Sequence, residues 1–363
     1  MSGPCYSVRI EPHGRSLTVA AGEPVLQAAL AAGLNLPHSC KSGHCGSCRS
    51  RLIAGAIHYP NGLPLGITAE EARRGQILLC QARPRSDLTV EARLIAGVAA
   101  VEIKTLPCRI ARLTPLAADV LEVLLQLPAV EQLRFQPGQY LDVLLEGGRR
   151  RSFSIACPPH DAARLELHVR RVSGGGFTER LFGAGADALT TGSLLRIEAP
   201  MGQFTYRDGA GPIIMVGGGT GFAPLKSMLR HVLETGIRRE IHFYWGARHR
   251  SDLYEEARML SWAADAHRQL RFIAVLSEGP AAQAPHHRTG WVHEAVLADH
   301  PDLSPFEVYA AGPPAMIEAM RASFPRHGLP PERLYFDSFD YAPDAAPDGA
   351  PDSPAPAPPA LLS

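Results

Sequence analysis

The sequence predicts a multidomain α+β and α/β protein of three successive units: a small β-grasp sheet, an antiparallel β-barrel, and an α/β unit with a parallel sheet. Three observations predict it. At 363 residues the chain is too long for one ordinary core. Short alternating strands punctuated by Gly, Pro and Asp fill its middle. Beyond residue 211, apolar strands alternate with helical segments, which is the rhythm of a parallel sheet.

The first unit is expected over residues 1–95. Val8 with Ile10, and Leu17 with Val19, read as strands by alternation. Pro24 to Gly33 reads as a short helix, with proline at its start and glycine at its stop. Mixed strands around one helix suit a β-grasp fold. A short linker leads to the second unit, 104–207. Its strands are read at Val120–Leu127, Tyr140–Leu145, Ser152–Ala156, Leu165–Val172 and Leu194–Glu198. The third unit, 211–341, alternates strands at Ile213–Val216, Ile241–Trp245, Arg271–Leu276 and Val308–Ala310 with helices near Leu225–Glu234, Leu253–Ala263 and Trp291–Leu297. Residues 342–363, rich in Ala, Pro and Asp, are expected to be a disordered tail.

Composition excludes some functions. The formal net charge is zero, so no basic excess points to nucleic acid. No run approaches the ~18 apolar residues of a membrane-spanning helix. The N-terminus has no apolar signal core, and seven cysteines are an odd number. Ligation chemistry in a cytoplasmic setting is therefore expected rather than a disulfide framework.

Cys40-x4-Cys45-x2-Cys48, with Cys80 far downstream, matches the plant-type [2Fe–2S] spacing. Three thiolates come from one loop that passes close to the bridging sulfides. Gly43 and Gly46 suit such a loop because they tolerate unusual backbone angles. A structural zinc site would pair two cysteine knuckles, whereas Cys80 has no close partner in sequence. Cys5, Cys108 and Cys157 read as ordinary thiols.

Arg151-Ser-Phe-Ser154 is weak by itself and also reads as a surface strand opening on an arginine run. Phe135–Tyr140 upstream and Gly174–Thr178 downstream sharpen it into a flavin site. Gly175, Gly176 and Thr178 open a helix expected at Glu179–Phe182, whose first N–H groups can meet a pyrophosphate. Arg151 adds a charge-assisted contact, and Phe153 and Ser154 complete the segment.

The strand Ile213–Val216 runs into Gly217, Gly218, Gly219, Thr220 and Gly221, and then into a helix. This is the context of a dinucleotide loop, although a tight turn without a ligand reads the same way. After the next strand, Arg248 and Arg250 suit a 2′-phosphate and Asp252 suits a free 2′-hydroxyl, so NADH and NADPH both stay open.

In this order the motifs resemble the ferredoxin–NADP⁺ reductase superfamily, in its branch with an N-terminal [2Fe–2S] domain. They are most like the CDP-6-deoxy-Δ3,4-glucoseen reductase group and the NADH-dependent reductases of oxygenases. The resemblance rests on Leu36–Cys48, Leu78–Leu88, Leu106–Arg109, Gly138–Tyr140, Gly217–Pro224, Tyr244–Arg248 and Asp337–Phe339. It implies FAD as flavin, NADH as usual donor, and contacts from Arg151 and Ser154 to FAD phosphate and ring. It places Ser154 near the flavin reacting atom and Thr220 near the nicotinamide. Gly312 and Pro313 match the segment beside the nicotinamide, but Ala311 stands where that family carries cysteine, and Phe153 where it carries tyrosine. Electrons would pass from NADH through FAD and the cluster, singly, to a protein acceptor, either a sugar dehydratase or an oxygenase component. A redox carrier or sensor with an impaired nucleotide site is the non-enzymatic alternative. Residues 1–100 carry one lysine, nine arginines and six acidic residues, a net of +4, which suits an acidic or neutral acceptor face.

Overall fold

The computed structural model describes residues 4–38, 41, 43, 46–64, 66–94, 103–266, 268–278 and 285–339. Cys40, Cys45, most of the expected linker and the expected tail lie outside these residues.

The first sheet has five strands in the order Arg15–Ala20, Cys5–Glu11, Leu88–Glu91, Arg49–Ala54, Gln76–Leu78. Its central pair, Cys5–Glu11 with Leu88–Glu91, is parallel, and the other pairs are antiparallel. Alternation works as the sequence implies: Val8, Ile10, Leu17 and Val19 are buried while their neighbours face outward. The helix Val25–Ala31 covers this face with Val25, Leu26, Ala28 and Ala29. It stops as expected. Gly33 takes φ +74°, its N–H donates to Leu30 O, and Leu34 N–H donates to Ala29 O. These are the two bonds of a Schellman cap, which needs a residue at positive φ.

The second sheet has six strands, all antiparallel, in the order Arg150–Ser154, Tyr140–Leu144, Leu194–Met201, Lys104–Ala117, Val120–Gln126, Leu165–Arg170. An antiparallel bridge from Ile155 to Leu167 joins the two outer strands and closes the barrel. The long strand Lys104–Ala117 was not expected from alternation. Leu106, Cys108 and Ile110 do alternate inward, but Pro107 and Pro115 on the outward side disguise it.

The third sheet is parallel throughout, in the order His287–Thr289, Leu270–Leu276, Ile241–Ala247, Ile213–Gly218, Glu307–Gly312, Leu334–Ser338. The helices Phe222–Glu234, Glu256–Asp265, Val292–Asp299 and Pro314–Ser323 accompany it. Apolar side chains fill both faces: Ile213 and Met215 enter one core, Ile214 and Val216 the other. The order in which strands are added, not their direction, reverses between Ile213–Gly218 and its parallel neighbour Glu307–Gly312. The carboxyl ends of these two strands therefore form the crevice where such sheets bind ligands.

Candidate functional site

The cluster loop is built by strand pairing. Arg49 pairs with Leu78, so Cys48 enters one strand where Cys80 leaves its antiparallel neighbour, and Leu79 N–H donates to Cys48 O at 3.3 Å. Both thiols are buried, and both lie within electrostatic reach of the Tyr59 phenol. Gly43 and Gly46 take φ +87° and +71°. A Cβ on Gly43 would lie 2.8 Å from Gln81 Cγ, so the loop accepts glycine on both counts. Two converging buried thiols and a glycine-turned loop fit a cysteine-ligated cluster. Cys108 and Cys157 are buried elsewhere, and burial pushes each thiol up to about 12, as ordinary core thiols.

A cavity of about 1040 Å³ opens between the three sheets. From the barrel come Arg151, Phe153 and Ser154, held by register pairs of Ser154 with Tyr140 and Phe153 with Leu141. Gly175 and Thr178 line it beside them, at the start of the helix Gly176–Phe182. From the parallel sheet come Thr220 and Ala223. From the first unit come Cys80, Gln81 and Lys41. Of the site residues read from the sequence, Cys80, Arg151, Phe153, Ser154, Gly175, Thr178 and Thr220 line this one space, whereas Cys48, Gly176, Gly217, Gly218, Gly219, Gly221, Gly312 and Pro313 do not.

The walls suit FAD. The cations Lys41, Arg151 and Arg170 line it, and Phe153, Met201 and Phe339 offer apolar surface for a planar ring. Arg150 is engaged by Glu198 and, at 3.6 Å, by Asp142. Arg151 donates to Arg150 O at 2.8 Å; burial and neighbouring Arg149 lower its pKa, and it remains a cation. The Thr178 hydroxyl turns inward: it accepts Val172 N–H at 3.1 Å and lies 3.2 Å from Val172 O and Gly175 O. Thr178 therefore fixes the loop rather than presenting its oxygen to a ligand. The Phe153 ring sits 5.5 Å from Phe177 and is partly buried against the barrel core.

The nucleotide turn is shaped by exclusion. Gly217 and Gly218 end the strand, and Gly219, at φ +54°, begins a tight turn into the helix. A Cβ on Gly221 would lie 2.0 Å from Ala311 O, and one on Gly218 2.8 Å from Pro313 Cδ. Gly312, at φ +155°, leaves no room for a side chain beside Gly218. The Gly217–Gly221 and Gly312–Pro313 segments are thus packed backbone to backbone at the crevice. Trp245 donates from its indole to Gly219 O at 3.1 Å and stacks on Phe222 at 4.1 Å, which braces the turn. Phe339 N–H donates to Gly312 O at 3.0 Å, setting that ring at the cavity.

Of the residues expected to read the ribose, two are committed elsewhere. Asp252 accepts His249 N–H at 3.1 Å, and Arg250 pairs with Glu256 at 3.1 Å. Arg248 is exposed and forms no ion pair among the described residues.

Sequence reasoning missed a buried polar clasp between barrel and nucleotide unit. Glu166 Oε1 accepts from Lys226 Nζ at 2.6 Å and His168 Nε2 at 2.8 Å, while His168 Nδ1 lies 3.1 Å from the Tyr254 hydroxyl. Lys226 is 1% exposed and sits in the helix that follows the glycine turn. Burial opposes ionisation of Glu166, but bonds from His168 and Lys226 outweigh it and hold the carboxyl far below its usual range. Burial depresses His168 too, so the ring is neutral. The signal was present. In Leu165-Glu-Leu-His-Val-Arg170 every second residue is polar, on a strand where both faces are covered.

Comparison with known proteins agrees with this geometry. The chain matches the 2Fe-2S iron-sulfur cluster binding domain family over residues 8–85, the oxidoreductase FAD-binding domain over 107–206, and the oxidoreductase NAD-binding domain over 215–322. It is 35% identical to a CDP-6-deoxy-L-threo-D-glycero-4-hexulose-3-dehydrase reductase of Yersinia pestis, covering 92% of this chain and 98% of that protein. It is 35% identical to an aromatic O-demethylase reductase subunit of Amycolatopsis sp., covering 90% and 96%. Among solved structures it matches an Amycolatopsis cytochrome P450 reductase with a TM-score of 0.72 at 34% identity, covering 92% and 98%. No helix among the described residues is long and apolar enough to cross a membrane. The chain belongs to the ferredoxin–NADP⁺ reductase superfamily, in the branch of NAD(P)H-dependent electron-transfer reductases that carry [2Fe–2S], FAD and NAD domains in one polypeptide.

Proposed function

We propose that this reductase oxidises NADH and delivers electrons one at a time to a separate cytoplasmic protein, a dehydratase that acts on a nucleotide-linked sugar. The cavity shared by Ser154, Thr220 and Cys80 carries the reading. On this reading the entry point for a hydride and the exit point for single electrons lie on the same walls. When bound, FAD accepts the hydride and the cluster hands on single electrons.

The chain's own groups divide the remaining work. Cys40, Cys45, Cys48 and Cys80 hold the cluster. Arg151 and the backbone of Gly175 and Gly176 would hold the FAD pyrophosphate, and Phe153 would flank the ring, with Arg151, Phe153 and Gly175 lining the cavity. The Ser154 hydroxyl donates at the flavin edge, and the Thr220 hydroxyl orients the nicotinamide. The turn of Gly217, Gly218, Gly219 and Gly221, closed by Gly312 and Pro313, holds the dinucleotide. Domain limits of 1–95, 104–207 and 211–341 follow from this division. Arg248 and Arg250 are both exposed, Arg248 without an ion pair among the described residues and Arg250 paired with Glu256, while one Asp252 oxygen accepts His249 N–H. NADH is the proposed donor because the family resemblance implies it, and rapid mixing with NADH and NADPH in turn tests this.

A second acceptor class rests on the similarity to the O-demethylase and P450 reductases: an oxygenase component. Steady-state transfer to a purified sugar dehydrase, set against a P450 or oxygenase component, separates the two. Faster reduction of the oxygenase component would replace the first reading with the second.

A further inference from the structure

Away from the cavity, Glu256, His286 and His287 gather at the outer edge of the parallel sheet. Glu256 is the first residue of the helix Glu256–Asp265, and His287 opens the edge strand, paired with Ala274. One carboxylate oxygen, Glu256 Oε1, meets both imidazoles: His286 Nε2 at 3.0 Å, and His287 Nε2 in a closer ion pair. The three donor atoms lie within 4.8 Å of one another. The two rings are steeply inclined, at 71° with centroids 4.4 Å apart, so their Nε2 atoms converge on a common point instead of stacking. The His287 side chain is 1% exposed, whereas those of His286 and Glu256 are 19% and 12% exposed. Two ligands thus border solvent and one is anchored in the core.

We propose that Glu256, His286 and His287 form a binding site for a divalent transition-metal ion of zinc type. Two imidazole nitrogens and one carboxylate oxygen suit zinc, while calcium and magnesium prefer all-oxygen shells. A tetrahedral ion with ligands at about 2.0–2.1 Å keeps its donors roughly 3.3 Å apart. The 3.0 Å separation of Glu256 Oε1 and His286 Nε2 lies within a few tenths of an ångström of that spacing, while the closer Glu256–His287 contact must open to admit the ion. Solvent supplies the fourth ligand on the open side. The outer shell is partly in place: Arg250 Nε holds the other carboxylate oxygen at 3.1 Å, leaving Oε1 for the ion, and Phe272 backs the His286 ring at 6.0 Å. His287 Nδ1 is buried without a hydrogen-bond partner, so packing rather than an outer hydrogen bond aims its Nε2. The Arg250 charge beside the ion opposes binding and weakens the site. A bound ion staples the edge strand His287–Thr289 to the helix Glu256–Asp265. An empty triad joins them only by hydrogen bonds to one oxygen.

The test uses the holoprotein, with flavin and cluster loaded so that the four cluster thiols are occupied. Protein passed over a chelating resin is equilibrated with zinc buffered at micromolar concentration and desalted. Zinc per chain is then counted and the zinc X-ray absorption edge recorded. The expected result is one zinc per chain in the wild type, with a shell of nitrogen and oxygen only, and loss of that zinc in Glu256→Gln and His286→Asn. The wild type also gains several degrees of thermal stability on zinc addition that the variants do not gain. Equal zinc in wild type and variants, a shell containing sulfur, or no retained zinc overturns the proposal. If a variant fails to fold, the wild-type stoichiometry and shell decide alone.

Discussion

At the scale of the residue, the most consequential positions are those where the backbone leaves no room. Gly221 is one. Its missing Cβ would stand 2.0 Å from Ala311 O, which is main chain and cannot swing away. Gly221→Ala is expected to cost about 2 kcal/mol of stability from overpacking and to raise the KM for NADH. Thermal unfolding and steady-state kinetics check both, and an unchanged KM would show that the turn does not touch the dinucleotide. Ala311 is the second position. It is fully buried at the crevice, at the position where the family resemblance implies a cysteine. Ala311→Cys is expected to speed hydride transfer about tenfold, close to 1.4 kcal/mol of barrier, with little change in NADH affinity. Lys41 is the third. It lines the cavity with Cys80, and burial lowers its pKa while Asp142 opposes that shift. Neutralising it in Lys41→Gln removes a positive charge beside the cluster loop and should lower the cluster potential in a redox titration. An unmoved potential would place the ammonium out of reach.

Among elements, the clasp of Glu166, His168 and Lys226 ties the helix after the nucleotide turn to the barrel strand carrying Glu166. Lys226→Met leaves Glu166 buried with its charge poorly paired, a loss of about 3–5 kcal/mol. The double change Glu166→Gln with Lys226→Met should lose less, and denaturant unfolding measures the difference. Elements also show what a sequence can reveal. The helix Val25–Ala31 was legible because its start, stop and apolar spacing agree. Parallel strands were legible as continuous apolar runs. The strand Lys104–Ala117 was not, because its prolines interrupt an otherwise inward alternation. The edge strands His287–Thr289 and Leu334–Ser338 were not, because they are short and take their structure from a neighbour. At the site, the local motifs of Arg151–Ser154 and Gly217–Gly221 could be read directly. Their convergence with Lys41 and Cys80 could not, because it depends on how the three units pack. Lys226 escaped for the same reason: its partner is 60 residues away.

For the whole molecule, buried His168 and half-buried His300 contribute to the acid limit. Burial depresses His168, and burial with neighbouring His242 brings His300 down to about 4. A histidine whose folded pKa is lowered binds its proton more readily when unfolded. Stability is therefore present above the ordinary value of 6.5 and is lost as pH falls from there toward about 4. Thermal unfolding followed from pH 7 to pH 4 should show this decline, and His300→Gln should flatten it. The central claim is a single path through one chain, resting on the cavity shared by Ser154, Thr220 and Cys80. Stopped-flow mixing with NADH, recording flavin and cluster absorbance separately, tests it most directly. The account predicts that flavin bleaching precedes cluster bleaching and that the second phase is independent of protein concentration. Cluster reduction ahead of the flavin, or a second phase that scales with protein concentration, would contradict it.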